Sequence, residues 1–328
     1  MQHFVRVAAP LLAVVFFVFP STAPAATFEE QVALGRASLS RARNLGDPAA
    51  LELARQFFLQ AAKAEPARAL GHYYVALSNW ELALSVRAAG GADRVADLAR
   101  EGVRHCDLLL ERDSGNAEAI ALRGALRCLW ATVPGADDGL QDAGEEDILR
   151  GQALGGGNPR VWLVSGATRY GCAASPHTGA DRALRDISRS IELFERVPQT
   201  LAELSGGTPG APIRGRSDGL ASPVLPGAPD EPRPGGSLAS SLEPTWGHSE
   251  AWFWAGRVHL DAERFGAARR CFEKTLELNP ACEVVRTQYL PRAEAQAPSS
   301  SPTGGAGRPS QGGAATTPYG PLRDPVRR

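Results

Sequence analysis

The chain has no run of basic residues and no excess of either charge. Its 35 basic and 36 acidic residues nearly cancel, and no basic cluster is interleaved with aromatic side chains. Proteins that bind nucleic acids or anionic lipid surfaces need a concentrated positive field, which this composition does not provide. The sequence therefore argues against a nucleic-acid or lipid-binding role.

Motifs for metal and nucleotide chemistry are also missing. No C-x2-C or H-x3-H spacing supplies four convergent ligands. Neither Lys63 nor Lys274 follows a glycine, as a phosphate-binding loop requires. One enzyme-like motif, G-x-S-x-G at residues 215–219, lies in a Pro/Gly-rich stretch without the strand and helix that would present its serine. We predict that the protein is not an enzyme and uses no cofactor and no metal.

Long apolar runs are confined to the N-terminal residues. Residues 7–19 are apolar, Arg6 precedes them, and Ala-Pro-Ala at 23–25 has the small side chains of a cleavage site. The run covers about 13 residues, whereas a membrane span needs roughly 20, which favours a cleaved export signal over an uncleaved anchor. We predict that residues 1–25 are a signal peptide. The mature chain would be periplasmic or secreted and soluble, without membrane insertion.

Cysteine is scarce, and the number is odd. The five residues are Cys106, Cys128, Cys172, Cys271 and Cys282. In an oxidising compartment a pair can form a disulfide, and Cys106 with Cys128 is the first pair to test. The alternative is that all five are small buried residues on helix faces, because a chain of this length does not need disulfides for stability.

The sequence does contain an internal repeat. Two sets of residues follow the same order: Trp162, Gly166, Ala183, Ile187 and Ser190, and then Trp252, Gly256, Ala268, Phe272 and Thr275, with Pro280 closing the second set. An aromatic residue four positions before a small one lets two helices cross closely, and the later spacing puts an alanine and an apolar residue on one helix face. The pattern predicts helical hairpins that stack on copies of themselves.

Similarly spaced packing residues predict three earlier hairpins. Their packing positions are Ala54, Phe58, Ala61 and Pro66 in the first, Tyr74, Leu77 and Ala99 in the second, and Gly124 in the third. Asp47-Pro48, Asn116 and Asn158-Pro159 predict helix starts. The second helix of the third hairpin, near residues 142–154, has the polar Asp147 and Gly151 where the pattern expects packing residues.

Composition divides the chain into segments. Between Pro198 and Pro244, 17 of 47 residues are Pro or Gly, and such a segment cannot bury enough apolar surface to become ordered. The crowded aromatics from Trp246 to Trp254 suggest that the last hairpin docks back on the fourth. The predicted segments are about four hairpins at 27–197, a disordered insertion at 198–246, a C-terminal hairpin at 247–292 and a disordered tail at 293–328.

These columns resemble the tetratricopeptide repeat, whose pattern is W-x2-L-G-x2-Y, then A-x3-F, then P. Residues 252–280 match best, through Trp252, Ala255, Gly256, Ala268, Phe272 and Pro280. The spacing between the small-residue markers exceeds the 34 residues of that repeat. The positions of its usual tyrosine are occupied by Glu81, Arg127, Arg169 and His259.

The resemblance implies an all-α, right-handed α-solenoid whose first helices line a concave groove. The groove-facing positions of the family fall here on His72, Val75, Asn79 and Leu82; Glu118, Ala121, Ala125 and Cys128; Arg160, Leu163, Ala167 and Tyr170; and Glu250, Phe253, Arg257 and Leu260. The predicted partner-binding residues among them are His72, Asn79, Arg160, Leu163, Tyr170, Glu250, Phe253 and Arg257. The alternative is that several are ordinary solvated or packing residues.

The sequence therefore predicts a protein- or peptide-binding scaffold of the cell envelope. In the groove, arginines would bind carboxylates and aromatic rings would bind apolar side chains. The alternative is an accessory protein for small-solute binding or uptake, with a ligand pocket enclosed by the helices. A closed apolar cavity on the axis would favour the alternative, whereas an open groove would favour the scaffold.

Overall fold

The computed structural model of the protein describes residues 26–173, 176–204 and 244–296. Within these ranges it contains eleven α-helices and a π-helical turn, Val285–Tyr289. The helices are α1 (Phe28–Leu45), α2 (Pro48–Ala64), α3 (Ala69–Ala88), α4 (Ala92–Leu110), α5 (Ala117–Ala131), α6 (Leu140–Leu154), α7 (Pro159–Cys172), α8 (Pro176–Leu204), α9 (His248–Asp261), α10 (Phe265–Leu278) and α11 (Leu290–Gln296). The predicted all-α fold is confirmed.

Consecutive helices pair into hairpins that stack in chain order. The pairs are α1 with α2, α3 with α4, α5 with α6, α7 with α8, and α9 with α10. Successive hairpins touch through α2 and α3, α4 and α5, and α8 and α9, while the first helices also meet one another. The prediction of stacked helical hairpins is thereby confirmed.

Local capping explains where two of the helices, α2 and α7, begin. Asp47 Oδ1 accepts a hydrogen bond from the backbone N–H of Ala49 at 2.9 Å, directly before the proline that opens α2. Asn158 caps α7 in the same way, by accepting from the N–H of Arg160 at 3.0 Å. Such side chains satisfy backbone donors that the first turn of a helix leaves without partners. The helix starts predicted at these two positions are therefore observed.

Most of the predicted packing positions lie inside the stack. Trp162 and Trp252 are half-buried, and Pro66 and Pro280 are exposed in turns. The buried positions are Ala54, Phe58, Ala61, Tyr74, Leu77, Ala99, Gly124, Gly166, Ala183, Gly256, Ala268 and Phe272.

The helix α6 forms despite its polar sequence, because polar partners meet it. The Asp147 side chain is 7% exposed and accepts hydrogen bonds from Arg123 and Arg127 of α5, at 2.7 Å for the shortest contact of each. A Cβ atom on Gly124 would lie 2.6 Å from the carbonyl oxygen of Gly144, so the two helix backbones cross in close contact. A buried ion pair and two glycines thus replace the apolar packing that the repeat pattern expects.

Two helices extend beyond the predicted segment boundaries. Helix α8 continues past Pro198 to Leu204, and α11 continues into the predicted tail as far as Gln296. Residues 244–246 of the predicted insertion make specific contacts with the array, described below. The predicted signal peptide at 1–25, the motif at 215–219 and the remainder of the predicted insertion and tail lie outside the described residues.

Helix α3 lies at the centre of the stack and fills its axis. All residues from 71 to 85 are buried, including polar side chains. Trp80 on α3 donates a hydrogen bond through its Nε1 to Thr168 Oγ1 on α7, at 3.1 Å. The first helices therefore pack on each other across the space where the repeat family has an open groove.

Two further features bear on the sequence predictions. All five cysteines, including Cys106 and Cys128, are free thiols in this structure. Among the described residues, no helix combines the length and the apolar character that crossing a membrane requires.

Candidate functional site

The predicted groove residues are mostly enclosed. His72, Asn79, Leu163, Phe253 and Arg257 are buried, with exposed fractions between 0 and 7%. Arg160, Tyr170 and Glu250 are half-buried. As placed here, the buried side chains contact other parts of the chain, because the first helices close on one another. Partner binding by these eight residues remains a prediction.

Two of the buried polar residues are satisfied by neighbouring helices. Asn79 accepts a hydrogen bond from Arg55 of α2 at 2.9 Å and donates one to Glu101 of α4 at 3.0 Å. His72 meets His105 of α4, with 2.8 Å between their Nδ1 atoms. These side chains therefore join helices within the first two hairpins.

Three of the predicted residues do come together, around the guanidinium of Arg257. Its Cζ atom lies 5.9 Å from the ring centroid of Tyr170 and 6.0 Å from that of Phe253. Trp254, at 4.9 Å, and Tyr289, at 5.8 Å, complete the aromatic surroundings. The rings stabilise a buried cation, so this cluster links α7, α9 and the π-helical turn.

The same region holds a half-buried carboxyl group, that of Asp261. The Tyr170 hydroxyl donates a hydrogen bond to Asp261. Burial raises the pKa of Asp261, an effect that the nearby Arg257 opposes. Burial also raises the pKa of the Tyr170 hydroxyl. The hydrogen bond satisfies both groups, as buried polar side chains require.

A cleft of about 510 Å³ lies between α1 and the C-terminal hairpin formed by α9 and α10. Helix α1 lines it with Arg36, Ala37, Ser40 and Arg43, and α10 and the turn after it line it with Leu278 and Asn279. Ala37, Ser40 and Leu278 are exposed at its rim, so the cleft opens to solvent. Its volume is in the range of protein sites that hold small molecules or short peptide stretches.

The two ends of the array meet at the floor of this cleft. Arg43 Nη1 donates to Glu250 Oε1 at 3.0 Å, and Arg43 Nε donates to Glu81 Oε1 at 3.1 Å. Beside them, Asn279 Nδ2 donates to Asn44 Oδ1 at 2.8 Å. The first helix is thereby tied to the last hairpin.

Residues 244–247, which we call the strap, cross the cleft without helical structure before α9 begins. Trp246 is its anchor: the indole Nε1 donates to the Tyr73 hydroxyl oxygen at 3.0 Å. The Cζ atom of Arg43 lies 4.9 Å from the Trp246 ring centroid. An aromatic side chain with a satisfied N–H and a stacked cation is a strong anchor in protein interfaces.

Backbone and hydroxyl groups of the strap are also recognised. Arg160 Nη1 donates to the carbonyl oxygen of Pro244 at 3.1 Å, and Arg36 Nη2 donates to Thr245 Oγ1 at 3.0 Å. The strap ends at Gly247, which has a φ of 126°. Only glycine adopts this conformation readily, so the turn into α9 depends on it.

A hydrogen-bond network centred on Glu118 lies next to the Trp246 anchor. Glu118 of α5 accepts from Arg160 Nη2 at 2.6 Å and from Asn158 Nδ2 at 2.7 Å. Burial raises the pKa of Glu118, but the hydrogen bonds from Arg160 and Asn158 outweigh this effect and hold the pKa below its ordinary value. Burial raises the pKa of Tyr73, which therefore stays neutral. The site is fixed by helices α3, α5 and α7 together.

A second cavity, of about 400 Å³, lies between α6 and α8. Its lining includes Arg169, Arg182 and Arg185 together with Glu145 and Cys128. Its lining combines these charged groups with apolar ones such as Ile148 and Ala173. In the described part of the chain, neither large cavity is the closed apolar pocket on the axis that would favour an enclosed small solute.

The sequence patterns did not identify the side chains of α1 that line the cleft. Arg36 and Arg43 occupy no marked position of the repeat, and their partners lie up to 209 positions away. One signal was present: Glu81 stands at a repeat tyrosine position, in a helix with mostly apolar neighbours. A charge in such surroundings requires a buried partner, which here is Arg43.

Comparison with known proteins identifies one family. Residues 249–282 match the tetratricopeptide repeat, and this range covers most of α9 and all of α10. The match supports the resemblance predicted for residues 252–280. No curated protein matches the chain. In the described ranges, no group of three or more His, Cys, Asp or Glu side chains is placed to hold a metal ion.

Proposed function

We propose that this protein is a non-enzymatic scaffold that binds a protein partner through an extended peptide segment of that partner. The cleft between α1 and the C-terminal hairpin is the binding site. The observation that supports the proposal is the strap, a non-helical segment held at the cleft through its carbonyl, hydroxyl and aromatic groups. The repeat match at residues 249–282 agrees with a role in protein binding.

The chemistry of the cleft suits a peptide. Guanidinium groups of Arg36 and Arg43 and the amides of Asn44 and Asn279 lie along the same opening. Such groups bind backbone carbonyls, carboxylates and amides, whereas the exposed Leu278 offers apolar surface at the rim. The combination of an apolar rim and fixed polar groups is typical of recognition sites.

The proposed location is the cell envelope. It rests on the predicted export signal at residues 1–25, whose apolar run and Ala-Pro-Ala site are sequence features. In that compartment, the scaffold would hold a partner outside the inner membrane. Fractionation of the native cell, with detection of the chain beginning at Ala26, tests this part of the proposal by itself.

Site-directed photocrosslinking in the native cell tests the binding site. A photoreactive amino acid at Ala37, on the cleft rim, should give a discrete adduct with one partner, identified by mass spectrometry. The same amino acid at Ala64, which is also exposed but does not line the cleft, is the matched control. Identical adduct patterns from the two positions would refute the cleft as the binding site.

The identified segment is then measured against the purified protein. Removal of one hydrogen-bonding anchor of an interface typically costs about 1.4 kcal/mol or more, which is roughly tenfold in affinity. Asn279→Ala should therefore weaken binding by about this factor. Glu273→Ala, an exposed change on the outer side of α10, should leave the affinity unchanged.

A further inference from the structure

The strap forms part of the wall of the open cleft and is held there as a bound peptide would be. Three successive residues present a carbonyl, a hydroxyl and an indole, and each group meets a different helix: α7, α1 and α3. Within the described part of the chain, the three strap groups take no part in the hydrogen bonds within a helix or at a helix end; they bond to side chains of these other helices. The cleft thus displays the contacts that it can make with an extended segment.

Of the three groups, the indole of Trp246 borders the largest number of cavities. Trp246 lines the large cleft, the small cavity of about 30 Å³ beside Trp254, and a gap next to Arg160 and Val161. Among their lining residues, Trp246 alone borders all three spaces. Its removal would therefore join them into one continuous groove between α1, α3, α7 and α9.

We propose that the strap is a built-in occupant of the cleft and that the partner segment resembles it. This inference rests on the proposed scaffold function and names the partner chemistry: an extended segment with an aromatic side chain that replaces Trp246, a preceding hydroxyl residue that faces Arg36, and a backbone carbonyl that faces Arg160. Binding of the partner displaces the strap, and the strap excludes segments that lack the aromatic anchor.

The strap competes with the partner because both use the same hydrogen-bond donors. A segment joined to its site by a short connection acts at an effective concentration of about 1 mM. A free peptide with a dissociation constant of about 10 µM for the empty cleft would therefore bind the occupied cleft about 100-fold more weakly. The strap thus lowers the affinity of the cleft for every free segment, so that only a partner with additional contacts binds tightly.

The test uses the full chain and a labelled synthetic peptide with the sequence of residues 242–248. Trp246→Ala vacates the anchor position, so this variant should bind the peptide, by fluorescence anisotropy, about 100-fold more tightly than the wild type. Trp252→Ala removes another half-buried tryptophan that does not line the cleft, and it should bind as weakly as the wild type. A peptide with alanine at the position of Trp246 should not bind any of the proteins.

A milder variant covers the case in which Trp246→Ala does not fold. Thr245→Val keeps the shape of an exposed side chain but removes the acceptor for Arg36, so the strap is weakened and the cleft is intact. Loss of one charge-assisted hydrogen bond should raise the peptide affinity of the full chain by about tenfold.

The outcomes separate the two proposals. Failure of folded Trp246→Ala to bind the peptide, or equal binding by the wild type, overturns the strap as a built-in occupant. If crosslinking from Ala37 still captures a discrete partner, the scaffold proposal survives that result. Absence of both signals removes the scaffold proposal as well.

Discussion

Arg43 on the first helix donates a hydrogen bond to Glu250 on the last hairpin, at 3.0 Å and across 207 positions of sequence. The same guanidinium also donates to Glu81 on the central helix α3. The side chains of Arg43 and Glu81 are only 11% and 4% exposed, so one cation holds two carboxylates in a largely dry site. The stack of hairpins is therefore closed by a charge cluster and does not end as an open spiral.

Replacement of Arg43 by methionine should destabilise the protein. The change keeps the apolar length of the side chain but leaves the buried Glu81 and the half-buried Glu250 without their cation. Breaking a buried pair in this way typically costs about 3 kcal/mol. We expect a loss of this size in the free energy of unfolding, measured by urea titration followed by circular dichroism.

An exposed ion pair provides the control. Arg269 and Glu273 are each about half exposed and lie 3.6 Å apart on α10. Arg269→Met should change the free energy of unfolding by less than about 0.5 kcal/mol, because water and salt screen such pairs. Equal losses from the two variants would show that the Arg43 cluster does not hold the array closed.

The hairpins could be predicted from the sequence because their signals are local. Asp47-Pro48 and Asn158-Pro159 mark helix starts through a cap and a proline that lie side by side in the chain. The small residue at Gly166 faces Ile187 on the next helix, and the repeat spacing contains this relationship. Helix identity and hairpin order depend on such short-range features.

The cleft could not be predicted in the same way. Its contacts, such as Arg36 with Thr245, join residues 209 positions apart, and no periodicity fixes how far the stack curves. The groove positions carried over from the repeat family assume an open concave side. Here Trp80 bonds to Thr168 across that side, so residues such as Leu163 become buried.

A methyl group at Gly124 should disturb the crossing of α5 and α6. Its Cβ atom would lie 2.6 Å from the carbonyl oxygen of Gly144 and 2.9 Å from the backbone nitrogen of Ile148. Backbone atoms cannot move aside as a flexible side chain can, so the helices must separate. We expect Gly124→Ala to lower the free energy of unfolding by about 2 kcal/mol, by urea titration.

Gly266, at the start of α10, provides the matched control. A Cβ atom on Gly266 would meet only the Arg270 side chain, at 3.8 Å. Gly266→Ala should therefore be neutral or raise the free energy of unfolding by up to about 1 kcal/mol, since alanine favours the helix. If Gly124→Ala were equally harmless, the close crossing of the two backbones would be wrong.

The buried pair of His72 and His105 predicts a dependence of stability on pH. His72 Nε2 lies 3.0 Å from the carbonyl oxygen of Pro66 and donates to it, so His72 Nδ1 accepts a hydrogen bond from the Nδ1–H of His105. A second proton on His105 would sit on Nε2, which lies 3.4 Å from the cationic guanidinium nitrogen Nη2 of Arg104. Burial, together with the neighbouring His72 and Arg104, lowers the pKa of His105 to about 4.

The sign of the pH effect follows from this shift. The pKa of His105 in the folded state lies below its ordinary value of 6.5, so the stabilisation is fully present above about pH 6.5 and is lost as the pH falls toward 4. The loss over this interval should reach about 3 kcal/mol. His105→Gln lacks the titrating ring, and its free energy of unfolding should fall less between pH 7 and pH 4.5. Parallel curves for the two proteins would contradict the neutral pair.

The cysteines should react slowly with a thiol reagent while the protein is folded. Cys106, Cys128, Cys271 and Cys282 are buried, and Cys172 is half-buried. Burial raises the pKa of Cys172 to about 12 and that of Cys271 to about 11, so little thiolate, the reactive species, exists at pH 8. Labelling of the native chain should therefore take hours, whereas addition of urea should release all five thiols within minutes.

The same measurement decides between free thiols and a disulfide. Protein purified without reductant should still yield five reactive thiols in urea, because the structure has Cys106 and Cys128 as separate buried thiols. A yield of three would mean that one pair had been oxidised, and Cys106→Ser, combined with Cys128→Ser, would show whether it was this pair. Rapid labelling before urea is added would instead mean that the helix faces carrying these residues are open to solvent, which the packing of α4 against α5 excludes.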